Sequence, residues 1–444
     1  KATSNNYRYL AASEKAQTNT GYWRLRNSRY NKVYYNPNTR YEPWVGLAPG
    51  GLSYPPSNPA SALHNPVSPN GSSTNLLDNQ QYTAYGSNGN YTNVNLYLPR
   101  YYVWVNKDAS EVNPDLDATP SPYKGSDASY CVRTWPIDPV NEARCLSDGL
   151  LVEIKPASQG GSDSYPRSAS RTDCVTSDNS CSFQEELQNF ANWFTYSRTR
   201  EFTAKSALGR VIAGSENLRV GFTTLRPTRP NEPIRTMNSS ERTGAKADLL
   251  NTIYETYSSG GTPLRQALRG AGRHFACKSG DIYGSSSNSA PGDSACPVLA
   301  APNGNCQQNF TLLISDGAWN GSSPSIGNSD NNNNTDFDGG VYAGGASDTL
   351  ADVAMKYYEE DIHPGLQDEV QTSARDIAGA AEDAFRDNSN VLMHQHMKTF
   401  TVGFGVNGLV EEEDVPTNYT TTFNWGNPTN SESKIDDMRH AALN

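Results

Sequence analysis

The sequence carries no surplus of positive charge. Its 36 Lys and Arg stand against 47 Asp and Glu, a formal net charge of -11 over 444 residues. A polyanion needs a basic footprint, so general nucleic-acid binding is excluded. No run of about 18 apolar residues occurs, and the mean hydropathy is -0.69, so a membrane-spanning helix is excluded. Residues 1–6 (KATSNN) are polar and lack the apolar core of a secretion signal, so none is included. Charged residues make up only 19%, whereas 25 Tyr accompany 36 Gly and 27 Pro. Disordered chains are poor in aromatics, so this composition reads as folded but rich in loops.

Catalytic signatures are also missing. There is no G-x-S-x-G, no H-E-x-x-H and no phosphate-binding loop. Gly403, Gly405 and Gly408 spell G-x-G-x-x-G after an expected strand, but Glu411, Glu412, Glu413 and Asp414 follow and would repel a pyrophosphate. These glycines read as chain turns. His394 and His396 share one face of an incoming strand, yet no carboxylate or cysteine cluster at ligand spacing accompanies them. Asp178, Ser180 and Ser182 match the letters D-x-S-x-S, a metal-loop pattern that must follow a buried apolar strand. Residues 171–177 are no such strand, and helix capping by Ser182 explains the serine better.

The seven cysteines form no C-x-x-C pair, which argues against a zinc ribbon. Most lie in or beside loop sequence, where short-range disulfides pin excursions, as in an exported protein. Cys131–Cys145 and Cys174–Cys181 are the shortest closures. Cys277, Cys296 and Cys306 leave one over, and Cys277 and Cys306, at the ends of a loop excursion, are the candidates carried forward.

Residues 1–183 are dominated by Tyr, Asn, Pro, Ser and Gly, with short β-like runs at 94–98 and 101–105 between turn clusters. The character changes at Ser182, which with Glu185 fits a capping box. Leu187, Phe190, Ala191 and Phe194 then fall on one helix face, and Ala204, Ala207, Leu208, Val211 and Ile212 repeat that spacing, so helix is expected to about residue 213. A strand is expected at 218–225, then a helix through Leu250, Ile253, Tyr254 and Tyr257. Thr262 is a good N-cap for a helix with Pro263 in its first position. Residues 310–314 (FTLLI) are nearly all apolar, as for a strand covered on both faces, and end at Asp316. A helix through Leu350, Val353, Ala354, Tyr357 and Tyr358 and a strand at 399–404 follow. The order predicts an α/β layer fold with a mainly parallel sheet over 184–444, interrupted by excursions at 277–306 and 321–346.

Two candidate cation positions emerge from the residues. Thr262 and Asp316 fall at the carboxyl end of a central strand, where hard oxygens suit Mg2+. Asp330, Asp336 and Asp338 flank an Asn run with oxygen ligands enough for a weak Ca2+ loop, although the glycine and closing Glu of an EF-hand are missing.

An ordered set of blocks resembles the PilC/PilY family of type IV pilus tip and biogenesis factors. It comprises Tyr34-Tyr35-Asn36-Pro37, Tyr41-Glu42-Pro43-Trp44-Val45-Gly46, Asn189-Phe190-Ala191-Asn192-Trp193 and Arg198-Thr199-Arg200. Further on come Arg219-Val220-Gly221-Phe222, Gly261-Thr262-Pro263-Leu264, Ile314-Ser315-Asp316-Gly317, Ser347 to Ala354 with Tyr357-Tyr358, and Gln395-His396-Met397 with Thr401 to Gly405. The resemblance implies a von Willebrand factor A-like domain in which residues 1–183 are a large insertion between first strand and first helix. It implies a C-terminal β-propeller after the closing helix at 435–444, and an apolar strand with the D-x-S-x-S loop expected before Lys1. Thr262 and Asp316 would then be the second and third elements of a metal-ion-dependent adhesion site for Mg2+, or for Ca2+ or Mn2+.

The function so implied is non-enzymatic: adhesion and pilus assembly or priming at the tip of a type IV pilus, exported to the surface of a Gram-negative bacterium. Minor pilins, a host or abiotic surface and the chain's own propeller would be the partners. One rival reading is a purely structural spacer at the tip. Another is a metal-dependent hydrolase using His394 and His396.

Overall fold

The computed structural model describes residues 26–28, 31–85, 91–104, 132–134, 149–178, 180–225, 232–278, 296–332, 334, 342–371, 392–415 and 421–443. The chain divides into two units, Lys1–Glu216 with Met237–Tyr257, and Asn217–Thr236 with Ser258–Asn444. That division keeps the helices after Ser182 with the tyrosine-rich region, whereas the sequence pattern draws its boundary after residue 183.

In the first unit β-structure is scattered. Strand β1 (Ala62–Leu63) pairs with β2 (Ser73–Thr74), and β3 (Asn79–Tyr85) with β4 (Tyr91–Tyr97), both antiparallel. Strands β5 (Arg100–Trp104), β6 (Val132–Thr134) and β7 (Gly149–Glu153) form one small sheet with β7 in the middle. Strand β8 (Ser164–Pro166) pairs with β9 (Ser180–Ser182).

Helix α1 (Phe183–Tyr196) starts where the capping box predicts: Ser182 Oγ accepts from Glu185 N, and Glu185 Oε2 accepts from Ser182 N at 2.8 Å. Ser197 and Thr199 break the expected single helix, and Thr199 caps a second, α2 (Arg200–Gly214). Helix α3 (Gly244–Glu255) completes the unit.

Its core is aromatic. Tyr34, Tyr35, Phe190, Trp193 and Phe194 are buried together, with Tyr35 and Phe190 rings 5.0 Å apart. Within it Arg171, fully buried, meets Glu186 at 2.7 Å, and Tyr35 donates to the same carboxylate. The disulfide Cys174–Cys181 is buried beside them.

In the second unit β10 (Arg219–Phe222) and β11 (Glu232–Thr236) form an antiparallel pair. Strand β12 (Asn309–Ser315) runs parallel to β15 (Met397–Gly403) over seven residue pairs, and short β13 (Val370–Gln371) pairs with β14 (Leu392–Met393). No ladder joins these pairs among the described residues. Helices α4 (Leu264–Phe275), α5 (Leu350–Glu359) and α6 (Ser431–Leu443) supply the core: Leu264, Leu268, Leu350, Val353 and Met438 gather with Leu313 and Met397.

This arrangement corrects two expectations. Strand β12 is not covered on both faces. Because side chains alternate along a strand, Leu313 and Met397 face the helices while Phe310, Leu312, Phe400 and Val402 face outward, 49, 54, 51 and 39% exposed. Thr262 does not cap α4. The helix begins one residue later, with Pro263 as the flanking residue and no side-chain cap. The mixed helix-and-strand class is as the sequence indicates.

Candidate functional site

The carboxyl end of β12 is where the sequence places its main candidate. Asp316 follows the last strand residue directly and is half-buried. The next turn returns to the start of α4: Thr262 N–H donates to Asn320 Oδ1 at 2.9 Å, and Asn320 N–H donates to Thr262 O at 2.8 Å. Asn320, which the sequence reading passes over, therefore ties the Thr262 loop to the loop behind Asp316. Thr262 is freed from capping, and its hydroxyl takes no hydrogen bond among the described residues. A carboxylate and an uncommitted hydroxyl at one strand end are the donors a hard divalent cation prefers. By residue type the two are oxygen donors of the kind such an ion takes.

Behind that edge lies a buried polar cluster that the sequence reading misses. Asp437 on α6 accepts from Trp319 Nε1 at 2.7 Å and from the N–H groups of Leu350 and Ala351, which fixes the start of α5. Asp352 accepts from Thr349 and from Ser329 N. Burial pushes the Asp352 carboxyl up to about 6, its hydrogen bonds from Thr349 oppose this, and the charge of Asp330 adds to the rise. Burial likewise raises Asp437. One signal was readable: Thr349 three residues before Asp352 is a capping box in letters.

The remaining candidates have structural partners. Asp330, from the proposed Ca2+ loop, is buried, lies 3.0 Å from His440 Nε2 and accepts from Gly344 N. Asp336 and Asp338 lie outside the described residues, as do Cys131 and Cys145. His396 is buried with Nδ1 2.8 Å from His394 O, and His394 Nε2 lies 3.2 Å from Tyr358 O. Gly405 turns the chain with φ +67, and a side chain at Gly408 would collide with Asp436, whose carboxylate accepts from Leu409 and Val410 N–H. These are packing and turn glycines.

Cys277 pairs with Cys296, and Cys306 is a free, exposed thiol, so Cys306 is corrected as a disulfide candidate. Residues 297–307 fold on themselves through Gly304 N to Ala300 O and Gln307 Nε2 to Pro297 O, which leaves Cys296 at the root of the loop. Among the described residues the side chains that gather at metal-ligand distance are Cys277, Cys296 and His363, and the two sulfurs are bonded to each other.

Comparison with known proteins gives one consistent result. The chain is 28% identical over 292 residues to the type IV pilus biogenesis factor PilY1 of Pseudomonas aeruginosa strain PAO1, covering 59% of this chain and 24% of that protein. It is 28% identical over 306 residues to the protein of the same name from strain PAK, covering 61% and 25%. The chain thus spans about a quarter of the length of the curated relatives it matches. No family model matches, and no solved structure matches.

Proposed function

The chain is a member of the PilC/PilY family, and from that premise we propose that it is a non-enzymatic part of a type IV pilus biogenesis factor, acting in surface adhesion and pilus assembly through a von Willebrand factor A-like unit. The observation that carries the reading is the similarity to the PilY1 proteins over about 60% of the chain. The reading places the protein outside the cell, on the pilus or outer surface. Disulfides at Cys174–Cys181 and Cys277–Cys296 are compatible with that compartment.

The second unit supports the finer part of the proposal. Among the described residues, the parallel pair β12–β15 has helices on one face and leaves Phe310, Leu312 and Phe400 about half exposed on the other, whereas parallel sheets are normally covered on both faces. An added apolar strand beside β12, carrying a D-x-S-x-S loop, would widen the sheet and bring a third set of oxygens to Thr262 and Asp316. Mg2+ held there would keep a position open for a carboxylate on a partner's surface. Minor pilins, a host or abiotic surface and a propeller of the same protein are the partners this reading expects.

The test is Asp316→Ala in the full-length protein. Surface pili and adhesion should fall at least tenfold while folding, followed by far-UV circular dichroism, is kept. Undiminished piliation and adhesion would remove the metal site and favour the structural spacer.

A further inference from the structure

A cleft of about 430 Å3 opens in the first unit, whereas Thr262 and Asp316 belong to the second. That is within the size of ordinary small-molecule sites, roughly 300–1,000 Å3. Its floor is one face of α1, presenting Gln188, Asn189 and Asn192. The segment through Tyr41, Pro43 and Val45 also lines it, as does Pro56.

The floor is held rigidly. Asn189 Oδ1 accepts from Tyr41 N at 2.7 Å, and Asn192 Nδ2 donates to Tyr41 O at 2.9 Å. Gln188 Nε2 donates to Ser57 O and Asn192 Oδ1, whereas its Oε1 has no partner among the described residues. The charges around the mouth are matched in place: Arg40 with Glu42 at 2.9 Å, Arg242 with Glu241 at 3.7 Å, and Asp173 with Arg171 at 2.9 Å.

We propose that this cleft binds a neutral saccharide. The mouth offers little to an ionic ligand, since each charge there already lies within 3.7 Å of an opposite one, Asp173 sharing Arg171 with Glu186. An extended peptide is disfavoured because the lining segment has already given Tyr41 N and O to Asn189 and Asn192, so the backbone ladder of strand addition cannot form there. A sugar ring needs what remains: C–H-rich surface from Pro43, Val45 and Pro56 for its apolar face, and fixed amides with a spare acceptor at Gln188 for its hydroxyls. Preorganisation of the amides lowers the ordering cost of binding.

The experiment is saturation-transfer NMR on the full chain with cellobiose, chitobiose and maltose as probes, in the presence of EDTA. At least one disaccharide should receive saturation from the protein, unaffected by the chelator, which separates this site from the cation site proposed above. Gln188→Leu should weaken that binding at least tenfold. Ser53→Trp, at an exposed position on the rim, should block it without touching the core. No transfer to any of the three sugars, or binding undiminished in both variants, would overturn the proposal, as would binding of a proline-rich hexapeptide that Ser53→Trp abolishes while no sugar binds.

Discussion

The two units solve the same problem, burying enough surface, with different materials. The first scatters its strands over small separate sheets and relies on packed Tyr, Phe and Trp rings, a buried Arg171–Glu186 pair and a disulfide. The second uses aliphatic helices laid on one face of a parallel strand pair, with carboxylates rather than rings organising its helix starts. Aromatic rings carry large apolar area and tolerate irregular backbone around them, whereas a helix-on-sheet layer needs regular strands and leaves a defined open face where a layer is missing. Among the described residues, the first core buries its rings together, and the second keeps Phe310, Leu312 and Phe400 about half exposed.

The contrast breaks most sharply at the buried pair. Arg171→Ala leaves Glu186 charged and uncompensated in an apolar core, and should cost about 3–5 kcal/mol in urea unfolding. The double replacement Arg171→Met with Glu186→Leu should recover most of that loss, because the pair offsets its own desolvation only in part. If the single change costs under about 1 kcal/mol, the first unit does not depend on the network.

In the second unit the comparable weak point is a close helix contact. A Cβ at Gly272 on α4 would lie 2.3 Å from the buried ring of Tyr357 on α5. Overpacking costs about 1–3 kcal/mol, against roughly 0.5–1 gained by alanine in a helix. Gly272→Ala should lower stability by a net ~1–2 kcal/mol, seen as a lower thermal midpoint. A rise would show that these helices can slide apart freely.

The smallest effect sharpens the comparison through pH. Each unit starts a helix with a capping box, and the two closing carboxylates titrate in opposite directions. Burial works against Glu185, but N–H groups of Ser182, Thr176 and Val175 hold it at about 2, below its ordinary 4.5. Its stabilisation is present above pH 4.5 and is lost as pH falls toward 2. Asp352 is raised from 3.8 to about 6, so its contribution is complete below pH 4 and is lost as pH rises through 6. Urea midpoints followed from pH 2 to 8 should lose their acid slope in Glu185→Gln and their slope between pH 4 and 6 in Asp352→Asn. Each effect is expected to be about 1 kcal/mol, the size of a helix cap. Equal slopes in both variants would remove the contrast.

Helix positions were largely legible. Ser182, the spacing from Leu187 to Phe194 and the run from Leu350 to Tyr358 mark real helices, because capping and periodicity are local properties. The letters put the start of α4 one residue early, and they give no sign that Asn320, 58 positions away, ties down the Thr262 loop. The apolar run 310–314 was correctly a strand, yet its letters could not say that only one face would meet helices.

Most helix positions, the loop-rich composition of the first 183 residues and the family blocks follow from residue order alone, because each depends on neighbours in the chain. Folding in three dimensions is what gives Cys277 to Cys296 rather than Cys306, sets Asp352 and Asp437 to hold the start of α5, and brings amides of α1 to line a cleft beside Tyr41. Those outcomes depend on distances between residues far apart in the chain, and such distances exist only once the cores have closed.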